Sequence, residues 1–176
     1  METSHAQVPP RAKSVVRPAR PSDVEGLSAF FVRAWKEAGP GALGFTGANN
    51  EAIREIASFD FLTERLRSPT TQLFVAEEDA DIVGFASLRT RNRECELSGI
   101  VVLGSAAGRG VGTRLLRKAT DTARRRGFRS VLVKTEVANA RAINFYKRNG
   151  FTETGKRTEK VGGISVPLLI LTRRFH

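Results

Sequence analysis

Three glycines at alternate positions, Gly108, Gly110 and Gly112, lie in the stretch "GRGVGTRLL" at the start of a segment with the period of a basic amphipathic helix. Glycine in a helix costs about 0.5–1 kcal/mol relative to alanine, which indicates that bare backbone is needed here. A strand-like segment, "CELSGIVVL", comes shortly before the glycines. A strand, a glycine-rich turn and a helix in this order predict a mixed α/β fold whose turn meets a ligand.

The pattern on either side of this turn predicts one domain over residues 15–176, after a flexible tail over residues 1–14. A strand from Val15 is followed by Ser22 and Glu25 at capping-box spacing, and the helix they start has four core positions, Val24, Leu27, Phe31 and Trp35. One further helical region covers residues 51–68. The segments "QLFVAEE" and "DIVGFASLR" predict a hairpin that continues into "CELSGIVVL".

After the glycine turn and its helix, the chain alternates again. The segment "SVLVKTEV" predicts a strand, and "NARAINFYKRNG" predicts a helix with Asn139 as its N-cap and Gly150 just after its end. The segments "FTETGKRTEK" and "ISVPLLILTRRF" predict the last two strands. The sequence contains no internal repeat or second domain that we identify.

Composition excludes several classes of protein. Cys95 is the single cysteine, which excludes an internal disulfide and a cysteine-built metal site and fits a reducing cytoplasm. The two histidines, His5 and His176, lie at the ends of the chain, so a histidine-based triad or metal centre is not expected. The longest apolar runs are too short to cross a bilayer, and the first fourteen residues contain no secretory signal.

The glycine turn is typical of an anion site. Free N–H groups at a helix N-terminus attract phosphate, and four cationic side chains surround this one: Arg109, Arg114, Arg117 and Lys118. Thr113 replaces the third glycine of a dinucleotide fingerprint, and no Gly-Lys-Ser/Thr sequence follows as in a Walker A loop. The turn therefore indicates a phosphate-bearing ligand, or else a tight turn before a solvated helix.

The net charge of +11 also leaves room for a nucleic-acid partner. The chain shows neither an RNP-like aromatic strand nor zinc-finger spacing. The six basic residues of the helix and its end do not share one helix face, so a solvated helix end or the 3′-phosphate of a CoA ligand is the simpler interpretation: Arg117, Lys118, Arg124, Arg125, Arg126 and Arg129. A nucleic-acid partner is not expected.

The glycine turn and the segment "NARAINFYKRNGF" together resemble the GNAT-type N-acetyltransferase superfamily. The acetyl-CoA loop of that family has the pattern Gln/Arg-x-x-Gly-x-Gly/Ala, which reads "AGRGVG" here with Ala107 in the first position. The later pattern of the family is matched by Asn139, Ala142, Tyr146, Gly150 and Phe151. The resemblance implies a mostly antiparallel mixed sheet with helices on both faces and a splayed central pair of parallel strands.

The same resemblance implies acetyl-CoA as cosubstrate, without a metal. Main-chain groups of Ile100, Val101 and Val102 would hold the pantetheine arm, and Asn139 would contact the cofactor near its thioester. The pyrophosphate would be held by the amides of six consecutive residues: Gly108, Arg109, Gly110, Val111, Gly112 and Thr113. The side chain of Arg109 would replace part of the charge that Ala107 lacks.

Acetyl transfer to an amine needs a base, a polarised thioester carbonyl and an acid for the departing thiolate. By resemblance Tyr146 is the acid and Glu96 the base, acting directly or through water. Lys134 stands where some relatives have a glutamate base, and Glu136 is close to it in sequence. Strand alternation places Cys95 on the face opposite Glu96, which favours a core role over an acetyl-cysteine intermediate.

The acceptor is the least constrained part of the interpretation. Eight acidic, aromatic and polar residues in the region of the first helices suit a cationic amine: Phe45, Thr46, Glu51, Glu55, Phe59, Asp60, Phe61 and Glu64. The alternative is an exposed helix face. We expect a small-amine acceptor before a peptide or protein amine, and a homodimer is a further possibility. The competing classes are a non-catalytic acyl-CoA sensor and a basic nucleic-acid-associated protein.

Overall fold

The computed structural model describes residues 14–39, 50–161 and 164–175. Seven strands form one sheet in the order β1-β2-β3-β4-β5-β7-β6. Every neighbouring pair is antiparallel except β4 and β5. The strands are β1 (Val15–Pro18), β2 (Thr71–Glu78), β3 (Asp81–Arg91), β4 (Glu94–Val102), β5 (Ser130–Glu136), β6 (Thr152–Val161) and β7 (Ile164–Arg174). This mixed, mostly antiparallel sheet confirms the predicted fold class, and the strands follow one another along the chain as predicted.

Five α-helices accompany the sheet among the described residues: α1 (Val24–Ala38), α2 (Asn50–Ile56), α3 (Phe59–Arg67), α4 (Val111–Arg125) and α5 (Ala140–Arg148). None of these helices is long and apolar enough to span a membrane. Short 3₁₀ turns precede α1 and follow β4, at Pro21–Asp23 and Gly104–Ala106. The predicted tail lies outside the described residues, apart from Ser14.

Two apolar clusters place helices on both faces of the sheet. The first joins α4 and α5 to the central strands, and α4 contributes buried residues at helical spacing: Val111, Leu115, Leu116, Ala119 and Ala123. The second joins α1, α2 and α3 to the opposite face, where Phe31 packs edge-on against Phe85 at 5.0 Å between ring centroids. The predicted core residues of α1 lie in this second cluster, with Leu27 and Phe31 buried and Val24 and Trp35 partly buried.

The start of α1 differs from the capping box expected at Ser22 and Glu25. The helix begins at Val24 after the 3₁₀ turn, and the Asp23 carboxylate accepts the N–H of Arg20 at 2.7 Å. Arg17 donates to both oxygens of Asp23, at 2.7 and 2.9 Å, and its Nε donates to Glu77 at 3.0 Å. The predicted capping box was wrong, because the ion pair with Arg17 of β1 holds Asp23, and not Glu25, at the start of the helix.

The region 51–68 forms two helices rather than the one expected. The chain leaves α2 after Ile56, and Ser58 begins α3 by accepting the N–H of Phe61 with its Oγ at 3.2 Å. Serine favours such N-cap positions, because its hydroxyl replaces a missing helical acceptor. Ile53 and Leu62 are buried on the two helices, so the break lets both turn an apolar side to the sheet.

Candidate active site

The central parallel pair separates soon after it forms. Strands β4 and β5 are in register only at Glu96 opposite Leu132 and Leu97 opposite Val133. Beyond these pairs, β4 continues to Val102 beside β3 alone, and β5 continues to Glu136 beside β7 alone. The predicted splay is therefore present, and it leaves strand edges facing each other across a gap.

A β-bulge at Ser98 marks the start of the splay. On β3, Ser87 pairs with Gly99 and Leu88 pairs with Leu97, so Ser98 is the extra residue of β4. Its Oγ bonds the Oγ of Ser87 at 2.9 Å, which pins the bulge. A bulge bends its strand and shifts the alternation of side chains, which turns β4 away from β5.

The three residues expected to hold the pantetheine arm follow this bulge. Ile100, Val101 and Val102 are all partly buried, and they lie on the part of β4 that has no β5 partner. Ile100 and Val102 pack towards the α4 side, and Val101 packs towards the α1 side. The structure thus places them along one edge of the gap.

The glycine turn connects this edge to α4. Gly108 and Gly110 both have φ of +74°, a left-handed conformation that a side chain disfavours, and Gly110 is the N-cap of the helix. A Cβ on Gly108 would meet nothing within 4 Å, so the turn is open on that side. The first helical hydrogen bond runs from the Arg114 N–H to the Gly110 carbonyl at 3.0 Å.

Six consecutive N–H groups, from Gly108 to Thr113, precede that bond, and none is paired with a backbone carbonyl among the described residues. Because unpaired N–H groups at a helix N-terminus bind anions, this cradle fits a pyrophosphate. The predicted residues of the loop are therefore brought together, through their backbone. Gly112 differs from the other two glycines, since it is helical and its absent Cβ would lie 3.5 Å from the Phe145 ring.

The basic side chains of the turn have structural partners. Arg109 donates to Glu78 at 2.8 Å and to the Ser105 carbonyl at 3.0 Å. Arg114 donates to the Arg109 carbonyl at 3.1 Å and also to the Oγ of Ser14. Arg109 therefore shapes the turn through an ion pair with β2, and its guanidinium is not a free replacement for the side chain that Ala107 lacks.

Helix α5 follows the end of β5 and lies beside the turn. The Oδ1 of Asn139 accepts the N–H of Ala142 at 3.0 Å, which confirms the predicted N-cap. Gly150, with φ of +83°, follows the helix end, and Phe151 returns to the core with 2% of its surface exposed. The capping bond orients the Asn139 side chain, and its amide nitrogen has no partner among the described residues.

Tyr146 lies on the inner side of α5. Its ring makes edge contacts with Phe145 and Phe151, at 5.2 and 5.5 Å between centroids, and 6% of the residue is exposed. Burial raises the pKa of the Tyr146 phenol to about 12. Its hydroxyl makes no hydrogen bond within the described ranges. The phenol is therefore neutral at physiological pH and has a proton to donate.

Glu96 lies on the opposite face of β4 from Cys95, as expected. Its Oε2 is 3.3 Å from the Nζ of Lys134, which is also 3.2 Å from Glu159 on β6. Arg157 completes the group, with its Nε 3.0 Å from Glu159. We call these four residues the charged network; its three central members keep 22–30% of their side chains exposed.

Glu159 was not predicted to belong to this network, because its contact with Lys134 depends on the register of three strands, β5, β7 and β6. Ser98 was also missed, although a Ser-Gly pair inside a strand is a signal for a bulge. Cys95 is 2% exposed, and burial raises the pKa of its thiol to about 11. The core role expected for Cys95 is confirmed.

The expected acceptor residues do not form one wall. Phe45 and Thr46 lie outside the described residues. Glu51, Glu55, Phe59, Asp60 and Glu64 are exposed on α2 and α3, while Phe61 is partly buried beneath Arg65. Asp60 and Glu64 line a cavity of about 530 Å³ on α3, but neither Glu96 nor Tyr146 does. The exposed-face alternative therefore describes most of this set.

A gap between parallel strands with unpaired N–H groups at the helix start beside it fits an extended, phosphate-bearing cosubstrate such as an acyl-CoA. The model of the acetyltransferase (GNAT) family matches residues 33–151. An uncharacterised N-acetyltransferase of Mycobacterium tuberculosis is 31% identical over 148 residues, covering 80% of this chain and 90% of that protein. The chain belongs to the GNAT acetyltransferase family, whose members use acetyl-CoA as the acetyl donor.

Two further comparisons concern substrate and fold. The aminoglycoside N(6′)-acetyltransferase type 1 of Klebsiella aerogenes is 28% identical over 150 residues, covering 81% of this chain and 91% of that protein. The PaiA N-acetyltransferase of Thermoplasma acidophilum, solved in complex with coenzyme A, shares the fold with a TM-score of 0.73 at 20% identity, over 93% of this chain and 99% of that one.

Proposed function

We propose that the protein transfers the acetyl group of acetyl-CoA to the primary amine of a small molecule by direct attack. The observation that carries the proposal is that the glycine turn, the unpaired edge of β4 and Tyr146 lie close together. A Cβ on Gly112 would lie 3.5 Å from the Phe145 ring, and Ile100 and Val102 pack against the same apolar cluster that contains Tyr146. One extended cofactor could therefore place its pyrophosphate at the anion cradle and its thioester near Tyr146.

The chain's own residues have separate tasks in binding acetyl-CoA. The amides of the glycine turn hold the pyrophosphate, and the edge of β4 from Ile100 to Val102 pairs with the amide groups of the pantetheine arm. The amide nitrogen of Asn139 is oriented by its capping bond to donate near the thioester. A β4 N–H in the splay polarises the thioester carbonyl.

Tyr146 protonates the departing thiolate. A free thiol has a pKa of about 8.5, below that of the buried phenol. The same desolvation that raises the pKa of the phenol also raises the pKa of the CoA thiol, which narrows the difference between the two pKa values. The carbon–nitrogen bond forms as the carbon–sulfur bond breaks, and the sulfur leaves as the thiol of CoA.

Glu96 is the candidate base on the other face of the splay. Its carboxylate accepts the amine proton directly or through one water. The contact with Lys134 fixes the carboxylate against the sheet, so the base is positioned before the amine arrives. Lys134 itself occupies the place of the alternative glutamate and has no acceptor capacity while it is an ammonium group.

A small amine is favoured over a protein amine by the comparison with known proteins. The similarity to an aminoglycoside acetyltransferase covers most of both chains. Aminoglycosides and other compact polyamines are therefore the first acceptors to test.

The experiment compares wild type with Tyr146→Phe in release of free CoA thiol. Acetyl-CoA is supplied with separate panels of aminoglycosides, polyamines, amino acids and lysine peptides. We expect amine-dependent release with the small amines, slowed about 100-fold or more in the variant, as removal of a general acid typically does. Acetyl-CoA binding is measured in parallel by calorimetry and should be unchanged in Tyr146→Phe.

The outcomes separate the parts of the proposal. Release that depends on peptides but not on small amines would contradict the acceptor class and leave the acid intact. Equal rates in wild type and Tyr146→Phe would exclude Tyr146 as the acid. Binding without any release would favour the acyl-CoA sensor, and absence of binding would refute the anion cradle.

A further inference from the structure

The end of the sheet opposite the glycine turn carries a group of exposed arginines. Three chain segments supply them: the β3–β4 turn, the end of α4 with the connection after it, and the end of β7. We define the basic end as six exposed arginines in these segments, leaving out Arg126, which donates to Gln72 at 2.9 Å: Arg91, Arg93, Arg124, Arg125, Arg129 and Arg174. Three of them, Arg91, Arg93 and Arg174, lie outside the basic stretch formed by α4 and the residues just after it.

Several contacts bring the three segments together. Arg91 and Phe128 line one shallow depression of about 420 Å³, which joins the β3–β4 turn to the connection after α4. Ser130 pairs with Arg174 across β5 and β7, and the N–H of Phe175 donates to the carbonyl of Arg129 at 2.8 Å. The six guanidinium groups therefore surround one end of the sheet rather than one side of a helix.

Carboxylates do not balance this charge. Within the described residues, no arginine of the basic end forms an ion pair, whereas Arg17, Arg109 and Arg157 elsewhere all do. Glu94 faces Arg91 across the hairpin, without a bond between the side chains. Such clustered like charges repel each other, which disfavours the compact state unless an anion screens them.

Two simpler explanations account for only part of the arrangement. The dipole of α4 favours cations in its last turn, which covers Arg124 and Arg125 but not the arginines of the hairpin and β7. The 3′-phosphate of a CoA bound at the glycine turn is too distant, because the 15 residues of α4 place its two ends about 22 Å apart. The basic end is therefore separate from the proposed cofactor site.

We propose that the basic end binds the phosphate backbone of a nucleic acid. All six cations are arginines, whose planar guanidinium groups pair with phosphate oxygens through two hydrogen bonds. A membrane surface is a poorer match, because the large exposed hydrophobic residues of the described chain, Val15, Val32, Phe59, Val137 and Ile164, lie outside the three segments. Because the glycine turn that would hold the cofactor lies at the far end of α4, we assign the nucleic acid the role of an anchor and not of the acceptor.

The first experiment needs no variant. Fluorescence anisotropy of the full chain is measured with a labelled single-stranded RNA of about 20 nucleotides, longer than a typical single-strand site. Five phosphate contacts predict a slope of about −3.5 in log K against log salt, so that affinity falls roughly 100-fold between about 50 and 200 mM salt. A slope near zero would overturn the proposal.

The second experiment compares two triple variants with equal changes in charge. Arg93→Glu, Arg125→Glu and Arg129→Glu alter the basic end, while Arg33→Glu, Lys36→Glu and Arg54→Glu alter exposed positions on α1 and α2. We expect the first set to weaken RNA binding at least tenfold and the second set to change it less than threefold. Equal losses in both sets would overturn the proposal, because net charge alone would then explain binding.

Two readouts keep the test independent of folding and of the proposed enzyme activity. Circular dichroism and thermal melting establish that each variant is folded, and a triple change to Gln replaces the Glu set if it is not. Competition with phosphatidylserine vesicles and with polyglutamate identifies the partner. If either competitor binds the basic end as tightly as the RNA does, the surface is not a nucleic-acid site, whether or not acetyl transfer is found.

Discussion

Substitution by alanine should change the stability of the protein in opposite directions at Gly110 and Gly112, two glycines at the start of α4. Gly110 has φ of +74°, where an alanine costs about 1–2 kcal/mol in backbone conformation. Its added Cβ would lie 3.5 Å from the Arg114 Nη1, an ordinary contact with the end of a flexible side chain. Because alanine also restricts the unfolded chain, by about 0.4–1 kcal/mol, the net loss of stability for Gly110→Ala is about 1 kcal/mol.

Gly112→Ala is the matched control. This glycine lies within the first turn of α4 at a conformation that alanine adopts, and its Cβ would contact Phe145 at 3.5 Å and Val102 at 3.7 Å without a clash. Alanine in a helix is more stable than glycine by about 0.5–1 kcal/mol. The effect on the unfolded chain is the same in both variants and cancels, so their unfolding free energies should differ by the conformational cost at Gly110, about 1–2 kcal/mol.

Thermal unfolding without CoA measures the change in stability, and thermal unfolding with CoA measures the change in CoA binding. A protein of this size shifts its Tm by about 2–4 °C per kcal/mol, so the two variants should lie on opposite sides of wild type and several degrees apart. A Gly110→Ala chain that relaxes to negative φ also turns amides away from the cradle, and losing one charge-assisted bond weakens CoA binding about tenfold. Tm shifts of the same sign and size would refute the assignment of separate roles to these glycines.

Three further predictions concern the ionisable groups. Glu96→Gln should lower kcat, whereas Glu159→Gln should change kcat little; steady-state rates of the two variants and wild type compare them. Cys95, with a pKa of about 11, should react with a thiol reagent near neutral pH only as fast as the protein opens, which timed labelling with and without denaturant measures. The hydrogen bond from Arg17 lowers the pKa of Asp23 below 3.8, so its contribution to stability is present above that pH and is lost as the pH falls through the lowered value; Asp23→Asn should remove that acid-dependent part in urea titrations.

Much of the fold could be predicted from the sequence because local signals there agree with the tertiary structure. Continuous apolar runs in β2 and β3 are typical of strands buried on both faces, and apolar residues recur with helical period on α4. Asn139 and Gly150 mark the ends of α5. The errors occurred where a distant partner decides the outcome. Arg17 of β1 bonds Asp23, which begins the helix in place of the expected capping box. The break before α3 lets α2 and α3 bury Ile53 and Leu62 in the same apolar cluster.

The candidate site was predictable in its backbone and less so in its charges. The alternate glycines indicated the anion cradle, because left-handed positions need glycine whatever surrounds them. The partners of Arg109 and Lys134 depend on which strands lie next to each other, and sequence spacing carries no such information. Arg91, Arg93 and Arg174 of the basic end lie far from its other three arginines in the sequence, and only the ends of the strands bring them together.

The short pairing of β4 with β5 makes the sheet mechanically uneven. Two pairs, at Glu96 and Leu97, join the four strands on one side to the three on the other. Helix α4 packs against strands on both sides of this pairing, so the two halves of the sheet are connected by two residue pairs and by one helix. A ligand that forms hydrogen bonds with both edges of the gap would connect the two halves of the sheet directly. Its binding would stiffen the whole sheet, far beyond the residues that it touches.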